Sequence, residues 1–160
     1  MNSTAYTAPS QFVKHVVNTL GQRLNIEIES AYQREASELK SARVAYHTGD
    51  VDSESGYASD GRKQHEVEIR FLVYVPIVKS DFELEALDLA CRIERELLET
   101  TWQSGGVHDT LTIESNVPRK FAPEQGFFLR VVTVRQQIRV GPLDEQWHQI
   151  VGDDLDVVTP

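Results

Sequence analysis

The chain has 160 residues, of which 40% are hydrophobic and 26% charged, and its formal net charge is −9. This size suits one globular domain, which would bury roughly two thirds of its unfolded surface. The charge argues against a sequence-independent grip on nucleic acid, which needs Lys and Arg, and the single cysteine excludes a disulfide framework and a cysteine-rich zinc site.

The N-terminal segment is polar and precedes an amphipathic helix. The polar start from Met1 to Ser10 lacks the basic and apolar regions of a signal peptide, and no apolar run in the chain approaches the ~20 residues of a membrane span. We therefore expect a flexible N-terminus over residues 1–9 and a soluble, cytosolic protein. Pro9 and Ser10 introduce a short helix, and Gly21 is placed as its C-terminal cap. Its apolar residues recur at helical spacing: Phe12, Val13, Val16, Val17 and Leu20.

The next segment carries two strand patterns. Alternation of apolar and polar residues predicts a half-buried strand over residues 24–29, although residues 31–40 also fit a helix. The same alternation predicts a second strand over residues 42–47, which ends at Thr48-Gly49.

A long polar loop is predicted over residues 49–63. Its sequence, GDVDSESGYASDGRK, contains Gly, Ser and Asp throughout and few apolar side chains, among them Tyr57. Loops of this length inside a compact domain are uncommon unless they bind something. We therefore expect a mobile loop that becomes ordered in an assembly, with Tyr57 as a candidate contact.

A strand and a helix over residues 65–98 form the centre of the architecture. The strand must end, or lie at a sheet edge, at Pro76, which has no amide hydrogen for a ladder. Its apolar residues alternate on one face: Val67, Ile69, Phe71, Val73 and Val75. Ser80 and Glu83 then form the pattern of a capping box, with Asp81 adding charge near the positive end of the helix dipole. A helix from about Asp81 to Glu99 is predicted.

This helix has two apolar strips where an ordinary surface helix needs one. One strip consists of Ala86, Ala90, Ile93 and Leu97, and the other consists of Leu84, Leu87, Cys91 and Leu98. We expect one strip to cover the sheet and the helix to contact something else as well. Glu94 lies between the strips, so it either reaches solvent at a seam or meets a cation from elsewhere.

The C-terminal part of the domain predicts two more strands. A third strand begins near Leu111 and is closed by Asn116 and Pro118, and the segment SNVPRKFAPEQG then reads as a turn-rich connection. Residues 127–140 give the longest strand pattern, which at ~3.4 Å per residue would span roughly 45 Å and exceed the usual length.

One face of this last strand is apolar along its length, whereas the other face changes from apolar residues to a polar series that includes Arg135 and Arg139. We therefore expect the strand to leave its own core and continue into a neighbour's surface. Residues 141–160 form an acidic extension with apolar side chains that are candidates for docking.

Acidic residues in the polar loop resemble a calcium-binding pattern only in part. Asp50, Asp52 and Glu54 occupy its first, third and fifth positions. The pattern needs Gly at the sixth position and Glu at the twelfth, where this chain has Ser55 and Gly61. We therefore interpret the segment as a plain acidic loop and expect no metal and no cofactor.

The sequence contains no other catalytic motif. Its histidines lack the i, i+4 spacing of a helical zinc pair, and no phosphate-binding loop or nucleophile elbow is present. Cys91 is expected to be an unreactive core thiol. Arg119 and Lys120 form a basic pair that could contact nucleic acid, but in a chain this acidic the pair favours a salt bridge to another subunit.

The order of elements resembles the tail terminator proteins of long-tailed bacteriophages, the lambda-type family. The matching segments are the N-terminal helix, the strand ARVAYHTG, the polar loop, the strand EVEIRFLVYVP, the helix DFELEALDLACRIERELL and the strands LTIES and FFLRVVTVRQQIRV. The resemblance covers residues 10–140 and is one of pattern with few identities. Residues 24–41 are longer than the family's equivalent, and the 141–160 extension has no counterpart.

The resemblance implies a structural virion protein without catalysis. Such proteins form a six-membered ring at the head-proximal end of the tail tube, stop tube polymerisation and join the head connector or neck. The expectation is an α+β fold, with a small, mainly antiparallel sheet of four to five strands against two main helices. The expected homo-oligomer is a hexamer, assembled in the host cytoplasm, through which DNA passes without specific binding.

Alternatives of two kinds remain open at this point. One is another phage neck or tail-completion subunit with the same build, since a fold does not determine a function. The other is a small metal-dependent hydrolase or nuclease with Asp50, Asp52, Glu66 or Glu68 as ligands. The candidate assembly residues are Glu94, Arg119, Lys120, Arg135, Arg139 and Tyr57.

Overall fold

The computed structural model describes residues 6–33, 39–57, 63–99, 102 and 111–140. Within them lie two helices, α1 (Pro9–Leu24) and α2 (Phe82–Leu98), and five strands, β1 (Ile28–Ser30), β2 (Arg43–Tyr57), β3 (Lys63–Pro76), β4 (Thr112–Ala122) and β5 (Phe127–Val140). One sheet has the order β1-β2-β3-β5-β4, with β1 parallel to β2 and the other pairs antiparallel. The predicted α+β fold of a mixed, mainly antiparallel sheet and two helices is confirmed.

Strand β3 is the centre of the sheet and supplies much of the core. Because side chains alternate along a strand, its apolar residues all point to the face that the helices cover. They are fully buried: Val67, Ile69, Phe71, Val73 and Val75. Burial of each such side chain stabilises the fold by about 1.5–3 kcal/mol, and α2 packs directly on this strand.

Strand β5 has the predicted bounds but not the predicted course. It pairs with β3 over its whole length, from Val140 opposite Lys63 to Phe127 opposite Pro76. The expectation that it leaves its own sheet is therefore wrong. Strand β4 pairs with β5 only as far as Arg135, so the last residues of β5 have a described strand partner on the β3 side alone.

Strand β2 is longer than predicted. It does not end at Thr48-Gly49 but continues to Tyr57, with irregular register around residues 49–50 and 54–56. The expected loop over residues 49–63 is thus largely strand, because Val51 and Asp52 pair with Val67 and Glu66 of β3. Residues 58–62 lie outside the described residues.

Strand β4 also extends beyond its predicted end. It runs through Asn116 and Pro118 to Ala122, so the expected turn-rich connection is reduced to a tight hairpin at residues 123–126. The proline is tolerated because β4 is an edge strand, whose outer side need not donate to a ladder. Gly126 closes the hairpin with φ of +81°, a left-handed value that favours glycine.

The helix ends differ from the predicted caps. Helix α1 ends at Leu24, and Asn25 caps it in the left-handed conformation, so Gly21 lies inside the helix. Glycine is needed at position 21 because a Cβ atom there would be 2.9 Å from the carbonyl oxygen of Ile26. Helix α2 has Asp81 at its N-cap with no side-chain capping bond, so the predicted capping box does not form.

Two further features complete the described part of the chain. Tyr6 is buried and forms a parallel bridge to Val140, so this residue is packed against the domain. The acidic extension over residues 141–160 lies outside the described residues. Neither α1 nor α2 has both the length and the apolar character that a membrane-crossing helix requires.

Candidate interaction surfaces

Helix α2 has the two strips that its sequence predicts. Ala86, Ala90, Ile93 and Leu97 are fully buried against the sheet. The α2 outer strip, defined as Leu84, Leu87, Cys91 and Leu98, faces solvent. Leu84 and Leu98 expose 59% and 58% of their surface. Cys91 is therefore an exposed thiol, and its interpretation as a core group is wrong.

The outer strip lies beside the edge strand β4. The rings of Phe82 and Phe121 stack with centroids 5.8 Å apart and planes 3° from parallel, which fixes the start of α2 over the end of β4. Phe121 still exposes 59% of its surface. We call the α2 outer strip together with Phe121 the β4-edge surface. Its members are exposed and lie on α2 and β4, at one edge of the sheet.

Glu94 joins the same helix to β4 through an amide. Its Oε2 accepts a hydrogen bond from Nδ2 of Asn116, while Arg130 Nε donates to Oδ1 of Asn116 at 2.6 Å. Arg130 Nη2 also donates to the Asn116 carbonyl at 3.0 Å. Glu94 is half-buried, and it meets the cation of Arg130 only through the intervening amide, so its contact lies within this chain.

Arg119 and Lys120 are both exposed on β4. The Lys120 ammonium lies 3.5 Å from the side-chain oxygen of Gln125 and 5.7 Å from the centre of the Phe127 ring. Nearby, β4 is irregular, with register shifts around Glu114 and Arg119. Bulges, proline and lysine on an edge strand all oppose pairing with a foreign strand.

The sheet face opposite the helices carries a charged cluster around Glu68. This carboxylate is only 2% exposed, and it accepts hydrogen bonds from Nε of Arg70 and, at 3.0 Å, from Nη2 of Arg135. Arg135 Nε also donates to Glu114 at 2.9 Å, and its Nη1 lies 3.7 Å from Glu66. A carboxylate with both oxygens held by guanidinium groups is a poor metal ligand.

Of the predicted hydrolase ligands, Glu66 and Glu68 are thus paired with arginine and do not line an open site. Glu68 is engaged by arginines, and Gly49 lies against it so closely that a Cβ atom would be 2.3 Å from its Oε1. Asp50, the next residue of β2 after Gly49, is exposed. In the described ranges, no group of three or more His, Cys, Asp and Glu side chains is arranged to hold a metal ion.

A groove lies near the other lateral edge of the sheet, away from β4. The β2-edge groove has a volume of about 410 Å³ and lies between the start of α1 and strand β2. It is mostly apolar, and its lining includes Val13, Tyr46, Val51 and Val67. Strand β1 pairs only with Val44–Tyr46, so in the described part of the chain no strand covers the outer edge of β2 beyond this point.

Tyr74, on the face away from the helices, is close to Arg43 of β2. Burial raises the pKa of the Tyr74 phenol above its usual 10.0, and the neighbouring Arg43 opposes this shift. The phenol is therefore neutral at physiological pH.

The predicted assembly residues are scattered over the molecule. Arg119 and Lys120 lie on β4, whereas Arg135 belongs to the Glu68 cluster and Arg139 is half-buried near the end of β5. Tyr57 pairs with Lys63 at the far end of β2. The sequence did not predict Phe121, Asn116 or the β2-edge groove as interaction sites. For Phe121 alone a signal was present, an aromatic residue within a polar segment.

No protein-family model matches the chain, and no curated protein matches it. Two solved structures are similar in fold. A chain in the virion of a native gene transfer agent particle has a TM-score of 0.54 at 14% identity, over 79% of this chain and 91% of that chain. A second structure, which carries no descriptive name, has a TM-score of 0.51 at 14% identity, over 83% of this chain and 97% of that chain. At this identity the likeness establishes the fold alone.

Proposed function

We propose that the protein is a non-catalytic structural subunit of a phage or phage-like virion. In this role it forms a closed ring at the head-proximal end of the tail tube, stops tube polymerisation and presents the surface that joins the head connector or neck. The order of its elements resembles the tail terminator proteins, and its fold is shared with a chain of a gene transfer agent virion.

The observation that carries the proposal is the β4-edge surface. A single copy leaves Leu84, Leu98 and Phe121 more than half exposed. Transfer of apolar surface out of water is favourable by roughly 25 cal/mol per Å², and contiguous exposed apolar patches commonly mark interaction sites. A partner that covers this region is therefore expected, and in a symmetric ring that partner is a second copy.

The charge of the chain suits a ring that DNA traverses. A net charge of −9 repels the phosphate backbone, so DNA would pass without being held. The ring number expected from the resemblance is six. The protein would be assembled in the host cytoplasm and remain in the virion.

The test is a tube-capping assay. Purified tail tube protein from the same genome is allowed to polymerise with and without this protein, and tube length and end structure are measured by negative-stain electron microscopy. We expect short tubes with a ring at one end. Tubes of unchanged length without bound protein would contradict the proposal. A pull-down against connector and tube proteins separates a terminator from another neck subunit, which would bind the connector but not the tube.

The metal-dependent hydrolase is disfavoured by the contacts of Glu68. Its two oxygens bind Arg70 and Arg135, and Arg135 also lies 3.7 Å from Glu66. A metal ion at these carboxylates would have to displace bound arginines. No observation in the described residues favours this second function.

A further inference from the structure

The described part of the chain has an apolar surface near each of the two lateral edges of its sheet. The β4-edge surface projects outward at one side, and the β2-edge groove is concave and lies at the other. The strand order β1-β2-β3-β5-β4 separates the two surfaces by the width of the sheet. Head-to-tail contacts that close into a ring require two different, complementary patches on each copy.

We propose that the β4-edge surface of one copy docks in the β2-edge groove of the next copy. The occupant of the groove is thus a second copy of this chain. This inference rests on the ring proposed above and specifies which two surfaces meet in it.

The two surfaces match in shape and polarity. Leu84, Leu87 and Phe121 are exposed apolar side chains on a helix and an edge strand, so they can enter a groove. The groove offers about 410 Å³ between Val13 and Val51, which is within the range of cavities that hold several apolar groups. Val51 itself is 46% exposed in the single copy, so it gains burial from an occupant.

Some of the charged residues around the two surfaces are of opposite sign. Exposed Glu83 and Asp88 lie on α2 next to the outer strip, and Lys14 lines the groove. Exposed Arg119 lies on β4, and exposed Asp50 lies on β2 beside the groove. Complementary charges at the rim of an interface determine which surfaces associate and in which register.

The β4 backbone disfavours the simplest alternative, a sheet that continues from copy to copy. Pro118 has no amide hydrogen, and the register of β4 shifts on both sides of the segment from Ser115 to Pro118. An incoming strand would find an interrupted ladder. Contact through side chains is therefore favoured over contact through backbone hydrogen bonds.

The native cysteine allows a direct test by cross-linking. Cys91 is the only cysteine of the chain and lies on the α2 outer strip. A Val51→Cys/Cys91→Ser variant has its single thiol in the groove instead. The variant, carrying an affinity tag, is mixed with untagged wild type and treated with a short bismaleimide. We expect a mixed dimer and no dimer of either protein alone.

Two further variants complete the experiment. Gln22→Cys/Cys91→Ser has its thiol on an exposed part of α1 outside the groove lining, and it should form no mixed dimer. Thr48→Cys/Cys91→Ser places the thiol at a second groove position and repeats the test if the Val51 variant does not fold. Val51→Cys with Cys91 retained should give a ladder of products that ends at the ring number.

The outcomes separate this inference from the proposed function. An oligomer that forms, as seen by light scattering, but shows no link between positions 51 or 48 and 91 overturns the inference and leaves the ring in place. A Cys91–Cys91 dimer of wild type alone also overturns it, because it indicates an isologous contact. Absence of any oligomer, with or without tube protein, overturns the ring and the inference together.

Discussion

Arg135 and Glu68 form an ion pair across β5 and β3, with Arg135 Nη2 3.0 Å from a carboxylate oxygen that is almost completely buried. This contact changes the interpretation of Arg135. The arginine stabilises its own sheet, so a charge reversal there would perturb folding as well as any assembly. The exposed β4 residues Arg119 and Lys120 are better probes of an interface.

Arg135→Ala is therefore expected to lower the free energy of unfolding by about 2–4 kcal/mol, because it leaves the buried Glu68 carboxylate with Arg70 alone. Urea titration followed by far-UV circular dichroism measures this loss. The matched control is Arg119→Ala, an exposed arginine of the neighbouring strand, which should change the value by at most about 0.5 kcal/mol. Equal effects of the two substitutions would refute the structural role of Arg135.

Gly49→Ala should destabilise the protein by about 1–3 kcal/mol, because the new Cβ atom would lie 2.3 Å from a carboxylate that two arginines hold in place. A double-mutant cycle with Glu68→Ala tests the cause. If the loss comes from the Glu68 contact, alanine at position 49 should cost much less once the carboxylate is absent. An unchanged cost would place the cause in the backbone.

Asn116→Ala is expected to lower the free energy of unfolding by about 1–3 kcal/mol, since it removes the amide that links half-buried Glu94 to Arg130. Chemical denaturation of the dilute protein measures the effect. Glu124→Ala, an exposed change in the nearby hairpin, is the control and should be neutral. If Glu94→Gln suppresses most of the Asn116→Ala loss, the loss arises from the carboxylate left without its donor.

Leu84→Glu/Leu98→Glu should abolish oligomer formation and leave the stability of the single copy nearly unchanged, because both side chains are more than half exposed. Light scattering and thermal unfolding at low concentration test the two parts separately. Val78→Glu is the control: this residue is 88% exposed in the connection before α2 and lies outside the β4-edge surface. Assembly should survive it. A double variant that still assembles would remove the outer strip from the interface.

Mg²⁺, Mn²⁺ or Ca²⁺ should leave the melting temperature unchanged, because two of the carboxylates considered as ligands, Glu66 and Glu68, already pair with arginine. A ligand that binds only the folded state must raise the melting temperature. Differential scanning fluorimetry with and without each ion checks this, with EDTA as the reference. A reproducible increase that EDTA reverses would reopen the hydrolase interpretation.

Periodicity predicted the elements whose faces differ in polarity. Strand β5 has the predicted bounds, and α2 has the two predicted strips, because each pattern reports which side chains meet the core. The continuation of β2 beyond Gly49 was missed, since its Gly, Ser and Asp residues have low strand propensity. Pairing with β3 overrides that propensity, and a pairing partner cannot be read from one segment alone.

The interaction surfaces were predictable only where one element forms them. The α2 outer strip follows from helical spacing. The Glu68 cluster, by contrast, joins residues 67 positions apart, and the β2-edge groove combines α1 with β2. These arrangements depend on strand order and register, which local sequence patterns do not determine.

The mass of the wild-type protein in solution tests the central claim most directly. Light scattering coupled to size exclusion measures this mass, which is compared with the 18.1 kDa of one copy. The measurement covers a wide range of protein concentrations, with and without tube protein. We predict one closed species whose mass is a fixed multiple of the mass of one copy. This mass should not grow further as the protein concentration rises. A protein that remains monomeric under every condition would contradict the account, because its exposed apolar surface would then have no second copy to cover it.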